Sequence, residues 1–511
     1  MEVELKLSLA PQDAEALRQH PLLKEYARST PYEQNMSDTY FDTPDLQFRQ
    51  CDAGLRVRRL DTNDWMQTLK GGGSVDGGLH SRHEWESRLA GSVPDLVTLR
   101  KMVDHKSAWG KLLRSHQVEQ QLAPIFTTQV KRMVWDLRLP QGDEVECVLD
   151  QGRVELADQN IPISEIELEL KSGDPAHLFD FALSLQRDIP LQIGNLSKAD
   201  RGYALLAPQL PAAVKAVRVK LSKRMTIEQA FQAIVANCMA QIQANAAGVA
   251  QALDVESLHQ MRVGLRRLHS ALGLFQDVLR APEDLRSELD WLGTQLNAAR
   301  DWDVLAGSTL PAVAATMPDE PGLAELRLAA FDQAHEQHQV AALALDSARY
   351  TRLLLRFTRW LQGCDWRRGM SPREQRNLKV GITVFARRSL KHHQRRLLKR
   401  GGKLDGANPE ARHRVRIAAK KARYANEFFA SLYQRHKVKR YVAALARLQD
   451  ELGWMNDAAV AYGLLKQLTN GQPERAHGAG FVRGYLASRV KKDDKKILAL
   501  WKKFKPMTLP C

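Results

Sequence analysis

The chain has 511 residues, 75 Lys+Arg against 59 Asp+Glu, and a formal net charge of +16. With 44% hydrophobic and 26% charged residues it has the composition of a folded globular protein, which excludes global disorder and predicts about two to four domains. No apolar run approaches the ~18–20 residues that cross a bilayer. The opening Met1-Glu2-Val3-Glu4-Leu5-Lys6 has neither the basic nor the apolar region of a signal peptide, and five scattered cysteines without metal-type spacing fit a reducing cytoplasm. The expectation is a cytoplasmic protein with no membrane partner.

In chain order, segments 2–8, 37–42, 54–60, 64–69, 83–89, 130–139, 144–150 and 163–171 alternate or are rich in β-branched and aromatic residues, which predicts strands. Helical patterns intervene at 11–20, 94–104 and 175–187. Gly71-Gly72-Gly73 lacks the Lys-Ser/Thr of a phosphate loop and reads as a mobile hairpin. The first half is thus an α+β pattern with enough strands for a barrel. Pro208 and Pro211 mark a short linker. From about Met225 onward the chain reads as helices, with turns at Pro282, Pro318, 363–372 and 401–402. Charge follows the same division. Residues 1–206 hold 24 basic and 32 acidic groups, net −8, and residues 207–511 hold 51 and 27, net +24. A polyanionic partner for the second half is the simplest reading, against a merely solvated basic surface.

Four strands invert the usual pattern. Glu165, Glu167 and Glu169 share one face of a strand with Lys171, and Glu2 and Glu4 share one with Lys6. Arg56 and Arg58 flank Val57, and Glu84 and Glu86 flank Trp85. Charged faces of both signs on four strands fit one closed barrel with a polar lumen better than four solvated faces. Clustered carboxylates call for cations between them, and hard divalent ions prefer carboxylate oxygens. Lys6, Arg56, Arg58 and Lys70 suit phosphate oxygens.

These residues resemble the CYTH family, the triphosphate tunnel metalloenzymes. Glu2-Val3-Glu4-Leu5-Lys6 matches its ExExK signature, Asp38–Thr43 its TYFDT strand, Leu55–Arg58 its LRxR strand, Thr68–Lys70 its TLK strand and Arg82–Glu86 its RxExE strand. Lys131-Arg132, Asp150–Gly152, Glu165–Lys171 and Ser197–Tyr203 complete the set in order over roughly residues 1–205. The resemblance implies an eight-stranded antiparallel tunnel that binds a linear triphosphate. Glu2, Glu4, Glu165 and Glu167 would hold the divalent metal, Mg²⁺ or Mn²⁺, with Glu169, Asp150, Glu84 and Glu86 as supplements. Lys6, Arg56, Arg58, Lys70, Arg132, Lys198 and Arg201 would hold phosphate oxygens. Glu4 would act as a catalytic carboxylate toward the attacking water, and Lys198 or Arg56 would stabilise charge on the leaving pyrophosphate.

The second half contains a repeat. His259-Gln-Met-Arg262-Val-Gly-Leu-Arg266-Arg267 aligns without gaps on His413-Arg-Val-Arg416-Ile-Ala-Ala-Lys420-Lys421. A second echo pairs Leu296–Val304 with Leu452–Val460. His259, Arg262, Arg266 and His269 fall within an arc of about 80° on a helix, as do His413, Arg416, Lys420 and Arg423, each opposite an apolar spine. These motifs resemble the CHAD domain, an all-helical domain often fused to CYTH. The resemblance implies a duplicated four-helix bundle whose basic groove binds inorganic polyphosphate through His259, Arg262, Arg266, His413, Arg416, Lys420 and Arg423. Arg387, Arg388, Lys391, Arg395 and Arg396 would extend that surface, and Asp301 and Asp457 would orient the basic groups or cap helices.

The expected organisation is a multidomain chain: an α+β β-tunnel over 1–205, a linker over 206–224 and an all-α domain over 225–505. The expected function is metal-dependent hydrolysis of tripolyphosphate to pyrophosphate and phosphate, with polyphosphate granules as a candidate location. Alternatives are a thiamine or nucleoside triphosphatase, an adenylyl cyclase and a non-catalytic polyphosphate-granule protein. Few aromatics interleave with the basic stripes, which disfavours single-stranded nucleic acid and leaves duplex phosphate binding open.

Overall fold

Strict alternation in the first half does produce strands, and they close on themselves. The computed structural model describes residues 2–60, 64–208, 210–251, 253–316, 320, 322–404 and 408–511, so the turn expected at Pro318 lies outside the described residues. The strands are β1 (Glu2–Leu9), β2 (Tyr32–Asp42), β3 (Ala53–Leu60), β4 (Trp65–Asp76), β5 (Leu79–Leu89), β6 (Ala123–Arg138), β7 (Glu144–Leu156), β8 (Gln159–Ser172) and the short β9 (Leu191–Ile193). Their order, β5-β4-β3-β2-β6-β7-β8-β1, is closed by pairing of β1 with β5, and every pair is antiparallel. β9 pairs with β1 beyond the end of β5, setting Leu7 opposite Ile193.

Closure gives each strand an inside and an outside, so register decides which charges meet. Glu4 lies opposite Glu169 and Lys6 opposite Glu167. Arg132 lies opposite Asp150, which lies opposite Glu165. The intervening residues, among them Leu5, Leu7, Cys147, Leu149, Ile166 and Leu168, point outward into an apolar cluster with the helix Pro175–Leu185. The barrel therefore hides its apolar side beneath helices and keeps its charged side within.

The glycines are used differently from the expected mobile hairpin at 71–73. β4 runs through Gly71–Gly73 with a bulge between Gly71 and Ser74, and the hairpin turns at Gly77-Gly78. Both turn residues have positive φ, 62° and 82°, the requirement of a tight two-residue hairpin and one that glycine meets without steric cost.

Two compact units divide the chain: residues 1–210 with 346–365, and residues 211–345 with 366–511. The first unit thus includes the helix Ala348–Gln362, distant in sequence from the barrel. The second contains eight long helices among the described residues. They are Ile227–Ala244, Val255–Phe275, Glu283–Val304 and Leu323–Asp346 in one repeat, and Ile382–Gly401, Pro409–Phe428, Arg435–Thr469 and Ala476–Phe504 in the other. The repeats share a core, in which Trp302, Leu310 and Leu326 pack with Ala461, Leu465 and Val482. Among the described residues no helix is long and apolar enough to cross a membrane.

Candidate functional site

The barrel encloses a cavity of about 330 Å³. Nine carboxylates line it (Glu2, Glu4, Asp52, Glu84, Glu86, Glu146, Glu167, Glu169, Asp200), as do nine cations (Lys6, Arg49, Arg56, Arg58, Lys70, Arg82, Arg132, Lys171, Lys198). Alternation in β1, β3, β5 and β8 anticipated most of these. It missed Glu146, which alternates with Asp150 on the inner face of β7, and Arg49, which arrives from the short helix Gln47–Gln50. Three expected residues, Asp150, Glu165 and Arg201, lie off the cavity lining; Asp150 is fully buried.

Behind the lining these groups knit a closed ionic network. The Lys198 ammonium contacts Asp150 Oδ2 and Glu165 Oε1 at 2.6 Å each and Glu167 Oε1 at 2.9 Å. Arg132 donates to both Asp150 oxygens at 2.7 and 2.6 Å and to Glu167 Oε2 at 3.0 Å. Arg201 holds the second oxygen of Glu165 at 2.6 Å. Lys6 pairs with Glu167 and, at 3.2 Å, with Glu4. On the opposite wall Arg58 forks onto Asp38 at 2.7 and 2.9 Å, with Arg56 3.4 Å away. Lys70 bridges Glu2 at 2.6 Å and Glu84 at 3.1 Å.

Burial works against the charges of Lys198 and Glu167, yet the opposite charges prevail. Desolvation opposes the Lys198 ammonium, but Asp150, Glu165 and Glu167 hold its pKa well above the usual lysine range. Desolvation likewise opposes the Glu167 carboxylate, but Lys198, Lys6 and Arg132 hold its pKa well below the usual range. Lys198 and Glu167 therefore meet as an ion pair at neutral pH.

Two sets of oxygens bear on metal binding. Asp150, Glu165 and Glu167 each bring a carboxylate oxygen within 4.8 Å of the others. The Lys198 ammonium contacts all three, so an ion there would compete with it. Glu2, Glu4, Glu146 and Glu169 form the second set on the open side, where Glu169 stands opposite both Glu4 and Glu146 in the sheet. Like charges directly across a sheet repel. The Glu169 pKa is accordingly raised, by burial first and then by Glu2 and Glu146, despite Lys171 at 2.8 Å. An all-oxygen donor set with surplus negative charge fits a hard divalent cation.

The helical unit has a groove of about 710 Å³. His259, Arg262 and Arg266 reach it from the helix Val255–Phe275, and Arg416, Lys420 and Arg423 from Pro409–Phe428. His413 does not line it; it is exposed. Arg387, Arg388, Lys391, Arg395 and Arg396 do not line it either. Asp301 and Asp457 do, and both stand within helices rather than capping them. Asn297, Arg300 and Asn456, from the second echo, join them.

The groove's cations are less fully paired than the tunnel's, although Asp301 and Asp457 stand among them. Arg262 is held by Asn297 Oδ1 at 3.0 and 2.7 Å, and Arg423 faces Glu427 at 3.4 Å. Among the described residues, the buried Nε atoms of Arg266 and Arg416 and Nδ1 of His259 have no hydrogen-bond partner. Burial, then Arg416 and Arg266, push the Lys420 pKa down to about 7. Burial, then Arg266, push Arg262 to about 10. Such mutually repelling, dehydrated cations form a ready anion site.

Comparison with known proteins gives two family matches. Residues 1–203 match the family model of the CYTH domain and residues 233–466 that of the CHAD domain. An inorganic triphosphatase of Haemophilus influenzae is 34% identical over 209 residues, 41% of this chain and 56% of that protein, so the chain spans little more than half the length of this relative. The crystal structure of the CHAD domain from the plant Ricinus communis is 39% identical, with a TM-score of 0.52, covering 57% of this chain and 96% of that one.

Proposed function

The chain belongs to the CYTH and CHAD domain families, and on that premise we propose that it hydrolyses linear inorganic triphosphate in the barrel with a divalent cation and binds inorganic polyphosphate in the helical groove. One observation carries the substrate reading: two thirds of the residues lining the cavity are charged, and its aromatic residues are Tyr40 and Tyr203 alone among those described. A phosphate chain finds partners along this lumen. A nucleoside or thiazolium-bearing substrate would bury apolar surface against charge, which disfavours thiamine triphosphatase and cyclase activity. The relative named inorganic triphosphatase supports the same reading.

The equal count of lining charges matters for the metal. A polyanion added to a charge-balanced lumen leaves it negative, and a divalent cation offsets the excess. Glu2, Glu4, Glu146 and Glu169 would hold that cation; when bound, it supplies charge neutralisation and lowers the pKa of water. Lys6, Arg56, Arg58 and Lys70 hold phosphate oxygens by charge-assisted hydrogen bonds. Glu4 accepts the proton of the water whose oxygen bonds to the terminal phosphorus. As the bridging P–O bond breaks, Lys198, Arg132 and Arg56 stabilise the negative charge gained by pyrophosphate. Asp150, Glu165 and Arg201 hold Lys198 and Arg132 in place.

The test is phosphate release from tripolyphosphate, pyrophosphate, long-chain polyphosphate, ATP and thiamine triphosphate, each with Mg²⁺ and Mn²⁺. Because Glu2 and Glu4 line the cavity, the protein should be untagged or tagged at its C-terminus. Preference for tripolyphosphate is expected. Preference for ATP or thiamine triphosphate would overturn the substrate, and no turnover alongside tight polyphosphate binding would favour a granule-binding protein. For the groove, Arg266→Glu combined with Lys420→Glu should abolish binding of long-chain polyphosphate; unchanged affinity would remove the groove from the reading.

A further inference from the structure

The helix Ala348–Gln362 lies in sequence between the two helical repeats but belongs to the barrel unit. There it packs along the helix Pro175–Leu185 and β9. Arg359 makes a two-pronged ion pair with Asp180, Nε to Oδ1 at 2.9 Å and Nη2 to Oδ2 at 3.1 Å. Gln186 Nε2 donates to the Ala348 carbonyl at 2.9 Å, and Gln192 Nε2 to Asp346 Oδ1 at 2.5 Å. Leu355 is fully buried in the cluster that holds Leu5 and Leu7 of β1, Leu79 of β5 and Leu191 of β9. Thr358 packs so tightly on the Gly77 turn that a Cβ at Gly77 would stand 2.3 Å from its hydroxyl.

The segments that this helix covers meet at one backbone residue. The Gly78 carbonyl, in that same turn, accepts from the Lys6 amide at 2.9 Å. The Lys6 carbonyl accepts from the amide of Gly194, the residue after β9, also at 2.9 Å. Both backbone groups of Lys6 are therefore fixed by segments packed beneath the helix, while its side chain enters the cavity between Glu4 and Glu167.

We propose that Leu355, Thr358 and Arg359 are positioning residues for Lys6: the helix between the repeats clamps the Gly77-Gly78 turn and β9, and thereby sets the ammonium that grips the triphosphate. The geometry stands by itself; its consequence for activity rests on the triphosphatase reading. Displacing a substrate-holding group weakens the contacts that position the bound substrate. The helix touches no substrate, so its effect must pass through the backbone of Lys6.

The test uses the full chain carrying Arg359→Glu, Leu355→Asp, or the swap Arg359→Glu with Asp180→Arg. Hydrogen exchange over residues 3–9 and 191–196 reports the clamp independently of activity. Exchange in both segments should accelerate in Arg359→Glu and return toward wild type in the swap. In parallel, KM for tripolyphosphate should rise about tenfold with kcat within about threefold, and recover in the swap. Polyphosphate binding by the groove should stay unchanged, which separates loss of the clamp from general unfolding; if Leu355→Asp does not fold, the charge swap alone decides. Unaltered exchange and KM in Arg359→Glu would overturn the proposal. If the wild-type chain releases no phosphate, the triphosphatase reading fails while the exchange data still decide the clamp.

Discussion

Lys198 holds three carboxylates together, and that defines what its removal should do. Taking one partner out of a buried ion network typically costs about 3–5 kcal/mol because the remaining charges are stranded. Lys198→Ala should therefore lose triphosphatase activity and also lower the melting temperature markedly. Mg²⁺ should raise that temperature more in the variant than in the wild type, because Asp150, Glu165 and Glu167 would then lose the ammonium that competes with an ion, while Arg132, Arg201 and Lys6 keep their contacts to these carboxylates. Equal Mg²⁺ shifts would show that this inner set does not take metal. Glu4→Gln should behave differently: phosphate release falls by ~100-fold or more, with a much smaller change in melting temperature. In the groove, Lys420, with a pKa near 7, gives a pH signature. Its folded pKa lies below the unfolded value, so between about pH 7 and 10.5 the unfolded chain binds more protons and stability rises with pH. Polyphosphate favours the charged form, so affinity should fall as pH rises through 7; calorimetry in buffers of different ionisation enthalpy should show proton uptake on binding above pH 7. A pH-independent affinity from 6 to 9 would argue against Lys420 as a ligand. Sequence placed Glu4 and Lys6 on the cavity because charge at every second strand residue has only one destination in a closed barrel, whereas Lys198, on a helix, was expected there only from the family resemblance. It could not separate Asp150 and Glu165 from the lining, since alternation fixes the face and not the depth. His413 failed for a related reason: the repeat aligns it with His259, but exposure is set by neighbouring helices that the repeat does not encode.

The helix Lys198–Leu206 brings Lys198 to the cavity, and a glycine lets it approach. A Cβ on Gly202 would stand 2.1 Å from the Phe126 ring on β6. Alanine in a helix gains about 1 kcal/mol over glycine, whereas overpacking a tight contact costs about 1–3 kcal/mol. The clash should win. Gly202→Ala should lower thermal stability by a few degrees, and by moving Lys198 it should reduce kcat/KM more than that stability loss explains. A variant with wild-type activity would mean that Phe126 yields and the helix keeps its place. Strands were the readily legible elements here because their period-2 pattern is enforced by a charged interior. The bulge at Gly71–Gly73 was not, because three glycines signal permissive backbone without saying whether it turns or bulges. Nor did any pattern mark the helix Ala348–Gln362 as a partner of the barrel. Its amphipathic sequence demands burial, and which surface supplies that burial is a tertiary fact.

Across the whole chain, net −8 in residues 1–206 and net +24 in residues 207–511 would, on the proposed function, correspond to two ways of handling phosphate. The tunnel binds within a closed lumen whose cations are already paired, so an entering polyanion exchanges one set of short-range partners for another, and dissolved salt screens this poorly. The groove offers cations that are only partly paired and partly exposed, and binding a long polyanion there would release counterions from the chain. The two activities should therefore separate on a salt axis. Between about 50 and 300 mM KCl, affinity for long-chain polyphosphate should fall by ~10-fold or more, while kcat for tripolyphosphate should change by less than about twofold at saturating Mg²⁺. Measuring both on one preparation of the full chain decides the matter, because protein quality then cancels. Parallel declines would mean that tunnel and groove meet phosphate through equally exposed charge, and the enclosed, pre-paired lumen would lose its claim to be the catalytic site.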